Sequence, residues 1–222
     1  MTLRILYGGT FDPIHNGHLA AALHARDALR AEVFLMPAGD PPHKPATQAD
    51  ASDRARMCEL AVLGMADIEV DARELRRPTP SWTIDTLREI RGEIGDRAPL
   101  ALLVGADSFL GLPSWKEWRE LPHFAHFVVA ERPGFDLDAA MPPELAEAFT
   151  SRFTRSPSAL HAAPAGLAWR LRQSATPESA TELRRRITAG QPWRDWVPVA
   201  VADYIAGHRL YGAAASPPPR NL

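Results

Sequence analysis

The stretch that decides the fold is Gly8-Gly9-Thr10-Phe11-Asp12-Pro13-Ile14-His15-Asn16-Gly17-His18. The mostly apolar residues 3–7 precede it and predict a short β-strand, whereas residues 19–29 follow it with alanine and leucine at helical spacing. A strand, a glycine-bearing turn and a helix start together favour an anion site. Glycine lets the backbone approach a phosphate, and the free N–H groups of the first helical turn point towards it. Phosphate chemistry is therefore the first expectation.

The two histidines at this corner, His15 and His18, allow three interpretations. They could simply cap the helix, which is the usual role of an isolated His-x-x-His pair. A zinc site would need further ligands, and no cysteine, histidine or aspartate set with suitable spacing accompanies them. The third interpretation, contact with phosphate oxygens during transfer, gains from the preceding glycines. The stretch is neither the Gly-x-Gly-x-x-Gly fingerprint nor a Walker loop ending in Gly-Lys-Ser/Thr.

The length and composition of the chain predict one cytoplasmic α/β domain. Its 222 residues are 45% hydrophobic and carry a formal net charge of −2, which gives no indication of a nucleic-acid or membrane partner. The single Cys58 excludes an internal disulfide and fits a reducing compartment. No apolar run approaches the ~20 residues of a membrane span, and no signal-peptide pattern is visible. We expect one domain over residues 1–212 and a disordered, proline-rich tail over 213–222.

Segments of strand and helix character alternate along the chain. This alternation predicts an α/β fold: a Rossmann-like, doubly wound parallel sheet with helices on both faces and a small C-terminal helical part. The predicted strands are residues 3–7, 32–37, 68–70, 100–105, 126–130 and 167–171. The predicted helices are residues 19–29, 51–64, 84–94, 142–149, 179–187 and 197–205, with residues 156–164 as loop. Ligands of such sheets bind at the carboxyl ends of the strands, so function should lie in the loops there.

Three charged side chains fall in those loops, each with a plain alternative role. Lys44, between prolines, and Arg132, before Pro133-Gly134, are candidate phosphate contacts, although exposed cations are more often only solvated. Asp107 follows Gly105 at the end of the most apolar strand. Its carboxylate would cap a helix, bond to ribose hydroxyls or hold Mg²⁺ through phosphate-bound water.

Two further candidates, Trp115 and Thr83, would serve an acidic aromatic ligand. Trp115 in Pro-Ser-Trp could stack on a planar heteroaromatic ring, although aromatic residues at this spacing are more often core. Thr83 stands at a helix start whose N–H groups could take a carboxylate, with Ser81 as the expected cap.

The last candidate set stands at the start of the predicted helix at 179–187. Ser179 and Glu182 have the spacing of a capping box. Ser179, Thr181 and Arg184 could surround the β- and γ-phosphates of a nucleotide with a helix N-terminus, two hydroxyls and a guanidinium. Simple capping beside an exposed basic face is the alternative.

Together these stretches resemble bacterial nicotinate-nucleotide adenylyltransferases of the His-x-Gly-His nucleotidyltransferase superfamily, over about residues 3–212. The shared pieces are Gly-Gly-Thr-Phe-Asp-Pro-Ile-His-x-Gly-His, Pro-Pro-His-Lys, Pro-Ser-x-Thr-x-x-Thr-Leu, Gly-x-Asp-Ser, Pro-x-Trp, Arg-Pro-Gly and Ser-Ala-Thr-x-x-Arg. Glu178 and Ala38 depart from the family pattern, which usually has an apolar residue and an asparagine there. The resemblance implies the nucleotidyltransferase fold and adenylyl transfer from ATP to nicotinic acid mononucleotide, giving deamido-NAD and pyrophosphate with Mg²⁺.

The resemblance also implies a role for each matched residue. His15, His18 and Arg184 would be catalytic. The residues expected to bind ATP are Gly8, Gly9, Thr10, Phe11, His15, His18, Gly105, Asp107, Ser179, Thr181 and Arg184. Those expected to bind the mononucleotide are Lys44, Thr83, Asp107, Trp115 and Arg132. No protein-only metal site is expected, since Mg²⁺ would be held mainly by the ATP phosphates.

Two other classes of function stay open at this point. A same-fold adenylyltransferase or cytidylyltransferase could act on nicotinamide mononucleotide or phosphopantetheine instead. A nucleotide-binding regulator with a dead site is the non-enzyme alternative, and the intact histidines and the Ser-Ala-Thr-x-x-Arg motif argue against it. The expected partners are ATP and nicotinic acid mononucleotide, with neither nucleic acid nor membrane, and a homo-oligomer is left open.

Overall fold

The computed structural model describes residues 2–39, 47–77, 80–172 and 177–214. The strands in these ranges are β1 (Arg4–Gly9), β2 (Glu32–Pro37), β3 (Ile68–Val70), β4 (Leu100–Gly105), β5 (His126–Glu131) and β6 (Ala168–Arg172). They form one sheet in the order β3-β2-β1-β4-β5-β6, and every neighbouring pair is parallel. The chain therefore winds outwards from the centre twice, first to one edge and then to the other.

Helices connect the strands and cover the sheet. They are α1 (Asn16–Leu29), α2 (Ala51–Val62), α3 (Thr83–Ile94), α4 (Ala106–Leu110), α5 (Leu121–Phe124), α6 (Leu137–Ala140), α7 (Pro143–Phe149), α8 (Pro157–Ala162), α9 (Ala180–Thr188) and α10 (Val199–Gly207). Short 3₁₀ turns lie at Arg73–Arg76, Leu112–Ser114, Thr150–Arg152, Arg194–Trp196 and Leu210–Gly212.

Successive strand residues enter two hydrophobic cores, one on each face of the sheet. In β1, Ile5 packs into the first core, with α1, α2, α9 and α10, and Leu6 into the second core, with α3, α4, α5 and α7. Leu103 and Val104 of β4 divide in the same way. Fully burying one such side chain stabilises the fold by about 1.5–3 kcal/mol. Burial on both faces explains the unbroken apolar runs within β4 and β5, and the predicted doubly wound fold is confirmed.

Two boundaries at the decisive stretch differ from the prediction. β1 extends to Gly9, whose Cα pairs in register with that of Pro37, so the glycines end the strand instead of forming the turn. α1 begins at Asn16, which puts His15 at its N-cap and His18 in its first turn. The sequence pattern missed this early start because histidine is not among the favoured N-cap residues.

Two local predictions are wrong. Residues 156–164 contain α8 and are not only loop: Pro157 occupies the first turn, where its missing N–H costs nothing, and Leu160 is fully buried. Ser81 does not cap α3. Trp82 is the N-cap residue, and the Ser81 hydroxyl donates a hydrogen bond to the carbonyl of Glu74 at 3.2 Å.

The C-terminal part of the described chain consists of α9, α10 and short 3₁₀ turns. α10 begins at Val199 because Val197 precedes Pro198, and a proline keeps the residue before it extended. Ala213, where the tail was expected to begin, is buried against the first core, whereas residues 215–222 lie outside the described residues. Across the described ranges, every helix is too short or too polar to cross a bilayer.

Candidate active site

The crevice of this sheet lies between β1 and β4. The chain runs from β1 to β3 on one side and from β4 to β6 on the other, so helices leave these two central strands in opposite directions. Open α/β sheets bind ligands at such a switch point. The strands end there in Gly9 and Gly105, and a Cβ added to Gly8 or Gly105 would meet no heavy atom within 4 Å. The backbone is therefore accessible to a ligand on both walls.

Gly9 and Phe11 shape the turn that leaves β1. A Cβ on Gly9 would lie 2.8 Å from Cζ of Phe11, so only glycine leaves room for this ring. Phe11 has a φ of 47° and is 1% exposed, with its ring edge-on to those of Tyr7 and His18. The ring supports the turn from inside, so only the backbone of Phe11 is available for the contact with ATP that the sequence predicts.

His15 and His18 form a stacked pair at the start of α1. Their ring centroids are 3.7 Å apart with an interplanar angle of 28°. The backbone N–H of His15 donates to Nδ1 of His18 at 3.3 Å, and its carbonyl accepts the N–H groups of His18 and Leu19. Because Nδ1 of His18 accepts a hydrogen bond, the proton of the neutral ring lies on Nε2.

Burial makes His15 a neutral group in this state. The residue is 6% exposed, and its Nδ1 atom has no hydrogen-bond partner. Desolvation lowers the pKa of His15 from its ordinary value to about 4. An unpartnered ring nitrogen in a buried site is costly, so an anion or a donor group arriving at this corner would be stabilised.

Arg184 joins α9 to the histidine turn. Its Nη1 atom donates to the carbonyl of Asp12 at 2.6 Å and lies 3.9 Å from Oδ2 of the same residue. Its Nε atom is buried without a hydrogen-bond partner. The fold thus brings together two motifs that are 172 residues apart in the sequence.

The start of α9 agrees in part with the predicted capping box. Ser179 is the N-cap residue, and its hydroxyl accepts the N–H of Glu182 at 3.3 Å. In a full capping box, the Glu182 carboxylate would also accept the backbone N–H of Ser179. Here that carboxylate pairs with Arg185 and Arg186 instead. These ion pairs lower the pKa of Glu182 to about 2. Thr181 is exposed in the first turn.

The residues expected near the adenosine ribose and the mononucleotide ring stand at the carboxyl end of β4 and at the start of α3. Gly105 is the N-cap residue of α4 and Asp107 is exposed in its first turn. Thr83 is the first residue of α3, and Trp115 is half-buried against the second core. Lys116 connects these segments, since its Nζ atom lies 3.0 Å from the carboxylate of Asp85 in the first turn of α3.

Arg132 is not joined to these groups by any contact among the described residues. Arg132 is exposed at the end of β5, where it lines a cavity of about 460 Å³ together with Phe135, Arg170 and Arg172. This cavity lies at the same carboxyl edge of the sheet, on its β5–β6 side. Lys44 lies outside the described residues.

Known proteins are similar to this chain in sequence. A family model described as cytidylyltransferase-like matches residues 6–186. A protein of Stenotrophomonas maltophilia (strain K279a) named "Probable nicotinate-nucleotide adenylyltransferase" is 51% identical over 216 residues, 95% of this chain and 97% of that protein. A protein of the same name from Xylella fastidiosa (strain M12) is 44% identical with the same coverage. The chain belongs to the nicotinate-nucleotide adenylyltransferase family.

Solved structures of this type of enzyme share the fold. The nicotinic acid mononucleotide adenylyltransferase of Plasmodium falciparum complexed with NaAD has a TM-score of 0.71, with 96% of this chain and 99% of that chain covered. The same enzyme complexed with APC has a TM-score of 0.69. Sequence identity is 16% in both cases, so the likeness concerns the fold, and the predicted nucleotidyltransferase fold is confirmed.

Arg54 is a buried residue next to the site that was not among the residues predicted from the sequence. Its side chain is fully buried, and Nη1 donates to the carbonyls of Thr10 at 2.8 Å and Ala38 at 2.7 Å. It therefore fixes the spacing of the loops that follow β1 and β2. A signal was present, because Arg54 stands at helical spacing from the buried Met57 and Cys58, on the face of α2 that should be apolar.

The two departures from the family pattern are local. The described hydrogen bonds of Ala38 use its backbone, whose N–H donates to the carbonyl of Gly9 at 2.8 Å. Glu178 precedes the cap of α9, and its Oε2 atom is buried without a hydrogen-bond partner.

The carboxylate beside the histidine turn is engaged with the protein itself. Asp12, beside the histidine turn, accepts three hydrogen bonds, from the N–H groups of Gln48 and Ala49 and from the hydroxyl of Tyr211. Its oxygens are thus already engaged. No group of three histidine, cysteine, aspartate or glutamate residues suited to an ion occurs in the part of the chain that the structure describes.

Proposed function

We propose that this chain transfers the adenylyl group of ATP to nicotinic acid mononucleotide, giving deamido-NAD and pyrophosphate in NAD biosynthesis. The observation that carries the proposal is the 2.6 Å contact of Arg184 with Asp12, which joins the start of α9 to the histidine turn at the switch point. Relatives at 42–51% identity over nearly the whole chain carry the name of this activity. The complexes of the Plasmodium falciparum enzyme with NaAD and APC support the same ligand class.

The reaction is a single in-line displacement at phosphorus. A phosphate oxygen of the mononucleotide attacks the α-phosphorus of ATP, and the bond from that phosphorus to the bridging oxygen of the β-phosphate breaks. Pyrophosphate leaves with the electron pair. The attacking phosphate is already ionised at neutral pH, so no general base and no covalent enzyme intermediate are needed. The protein contributes orientation and stabilisation of charge.

His15 and His18 would act at the α-phosphate and the bridging oxygen. The stacked rings stand at the first turn of α1, where N–H groups and the helix dipole favour an anion. A phosphate against His15 opposes the desolvation that lowers its pKa, so binding of ATP should draw a proton onto the ring. That proton would stabilise the charge that develops on the leaving group.

Arg184, Ser179 and Thr181 would hold the β- and γ-phosphates. α9 supplies a helix N-terminus there, and Nε of Arg184 is a buried donor without a partner. Gly8 to Phe11 would approach the phosphates through their backbone. The Mg²⁺ that we expect on the triphosphate would neutralise its charge, and the exposed carboxylate of Asp107 would accept hydrogen bonds from the ribose hydroxyls.

The acid group of the mononucleotide would be recognised at the start of α3. Thr83 lies in the first turn of a 12-residue helix, whose first N–H groups have no acceptor within the helix, so a carboxylate can accept from them. Trp115 would stack on the pyridine ring, and Lys44 and Arg132 would serve the phosphate.

The proposal is tested by following pyrophosphate release from ATP with three acceptors in parallel. We expect nicotinic acid mononucleotide to give the highest kcat/KM, above nicotinamide mononucleotide and phosphopantetheine. A parallel assay with CTP in place of ATP tests which nucleotide the chain uses. A wide preference for the amide, for phosphopantetheine or for CTP would refute the substrate assignment.

A further inference from the structure

Asp12 is a junction of four chain segments behind the histidine turn. Its Oδ1 atom accepts the hydroxyl of Tyr211 at 2.7 Å and the N–H of Ala49 at 3.1 Å, and its Oδ2 atom accepts the N–H of Gln48 at 2.8 Å. Its backbone carbonyl accepts Nη1 of Arg184. Asp12 is 5% exposed, so these bonds form away from water and resist exchange with it.

Tyr211 is held in place from both ends. Its backbone lies in the left-handed region, with φ 57° and ψ 21°, which residues other than glycine seldom adopt. Its carbonyl accepts the hydroxyl of Thr188 in the last turn of α9 at 3.1 Å. Burial, and secondly the charge of Asp12, raise the pKa of Tyr211, so its hydroxyl keeps the proton that it donates. Strained backbone of this kind persists where surrounding contacts require it.

We propose that Tyr211 is a positioning residue for adenylyl transfer, which through Asp12 holds the histidine turn at a fixed distance from Arg184. The proposal rests on the proposed function, because it concerns the geometry of that site. Tyr211 touches α9 at Thr188 and the turn at Asp12, and it therefore spans the same gap as the contact of Arg184 with Asp12.

The consequence for the reaction follows from the position of Asp12, three residues before His15. Without the Tyr211 hydroxyl, one oxygen of Asp12 loses a buried donor and the turn can shift relative to α9. Misplacement of reacting groups by about 1 Å can cost ~10²-fold in rate, whereas ground-state binding of two large nucleotides depends on many other contacts. The effect should therefore appear in kcat more than in KM.

The chain offers a matched control in Tyr204. Its hydroxyl donates to Oδ1 of Asp53 at 2.8 Å and joins α10 to α2, so Tyr204→Phe removes a tyrosine–aspartate hydrogen bond between distant segments. That bond does not involve the histidine turn or α9.

The experiment compares Tyr211→Phe and Tyr204→Phe with the wild-type chain, using ATP, Mg²⁺ and nicotinic acid mononucleotide. We expect Tyr211→Phe to lower kcat by ~10-fold or more with both KM values within ~3-fold, and Tyr204→Phe to leave kcat within ~2-fold. Thermal melting of both variants shows how much fold stability each has lost. Equal kcat in the two variants would overturn the proposal, as would a fall in Tyr211→Phe that tracks melting temperature alone.

A second readout does not depend on turnover. The ring resonances of His15 and His18, assigned with His15→Gln and His18→Gln variants, should move in Tyr211→Phe and stay in place in Tyr204→Phe. If the wild-type chain fails to use nicotinic acid mononucleotide, the proposed function fails, and the spectra still decide whether Tyr211 positions the turn. Unmoved resonances in Tyr211→Phe would overturn the positioning role.

Discussion

The buried neutral state of His15 predicts a specific loss of stability in mild acid. Burial lowers the pKa of His15 to about 4 from an ordinary value of 6.5. The unfolded chain therefore binds more protons than the folded chain between these values, and stability falls as the pH drops from about 6.5 towards about 4. Between pH 7 and pH 5, protonation of this ring in the unfolded chain should lower the free energy of unfolding by about 2 kcal/mol.

The assay for this prediction is urea unfolding of the wild-type chain and of His15→Gln at both pH values. Glutamine does not titrate, so we expect the wild-type chain to lose about 2 kcal/mol more than the variant on acidification. Other groups with shifted pKa values, such as His126, are present in both proteins and cancel in the difference. Equal losses, within about 0.5 kcal/mol, would refute the reasoning, because they would mean that His15 is solvated or already charged.

Three further predictions concern the turn and its phosphate contacts. His18→Ala should lower kcat by ~10²-fold or more, the scale of a lost transition-state donor, in the pyrophosphate assay; near-normal turnover would remove its role. Gly9→Ala should cost about 1–3 kcal/mol of stability in urea melts because its Cβ would lie 2.8 Å from the ring of Phe11, whereas Gly8→Ala should cost under about 0.5 kcal/mol; similar costs would contradict the packing. Binding of ATP near pH 6 should be accompanied by proton uptake, which calorimetry in buffers of different ionisation enthalpy measures. His15→Gln should take up fewer protons than the wild-type chain.

The sequence predicted the sheet well because each strand carries its own signal. Residues 100–104 form a continuous apolar run, and such a run is what burial on both faces of a parallel sheet requires. The candidate residues at the ends of β1 and β4 and at the start of α9 were found for a similar reason, since glycines and helix caps are local marks of a turn. These residues lie at one edge of the sheet because parallel strands have their carboxyl ends at the same edge.

Contacts between distant segments could not be predicted in this way. Nothing near Tyr211 indicates that its hydroxyl reaches Asp12, 199 residues away in the sequence. The neutrality of His15 also depends on burial, which is a property of the assembled fold. α8 was missed because its single buried Leu160 gives no helical periodicity, and its start at Pro157 has the composition of a loop.

The measurement that tests the central claim most directly follows the α-phosphate itself. ATP labelled at the α-phosphate is incubated with Mg²⁺, nicotinic acid mononucleotide and the wild-type chain or His18→Ala. We expect the label to appear in the dinucleotide, in equal amount to the pyrophosphate released, and the variant to slow both products together. Label recovered in AMP without dinucleotide, or pyrophosphate release that does not need the mononucleotide, would contradict it.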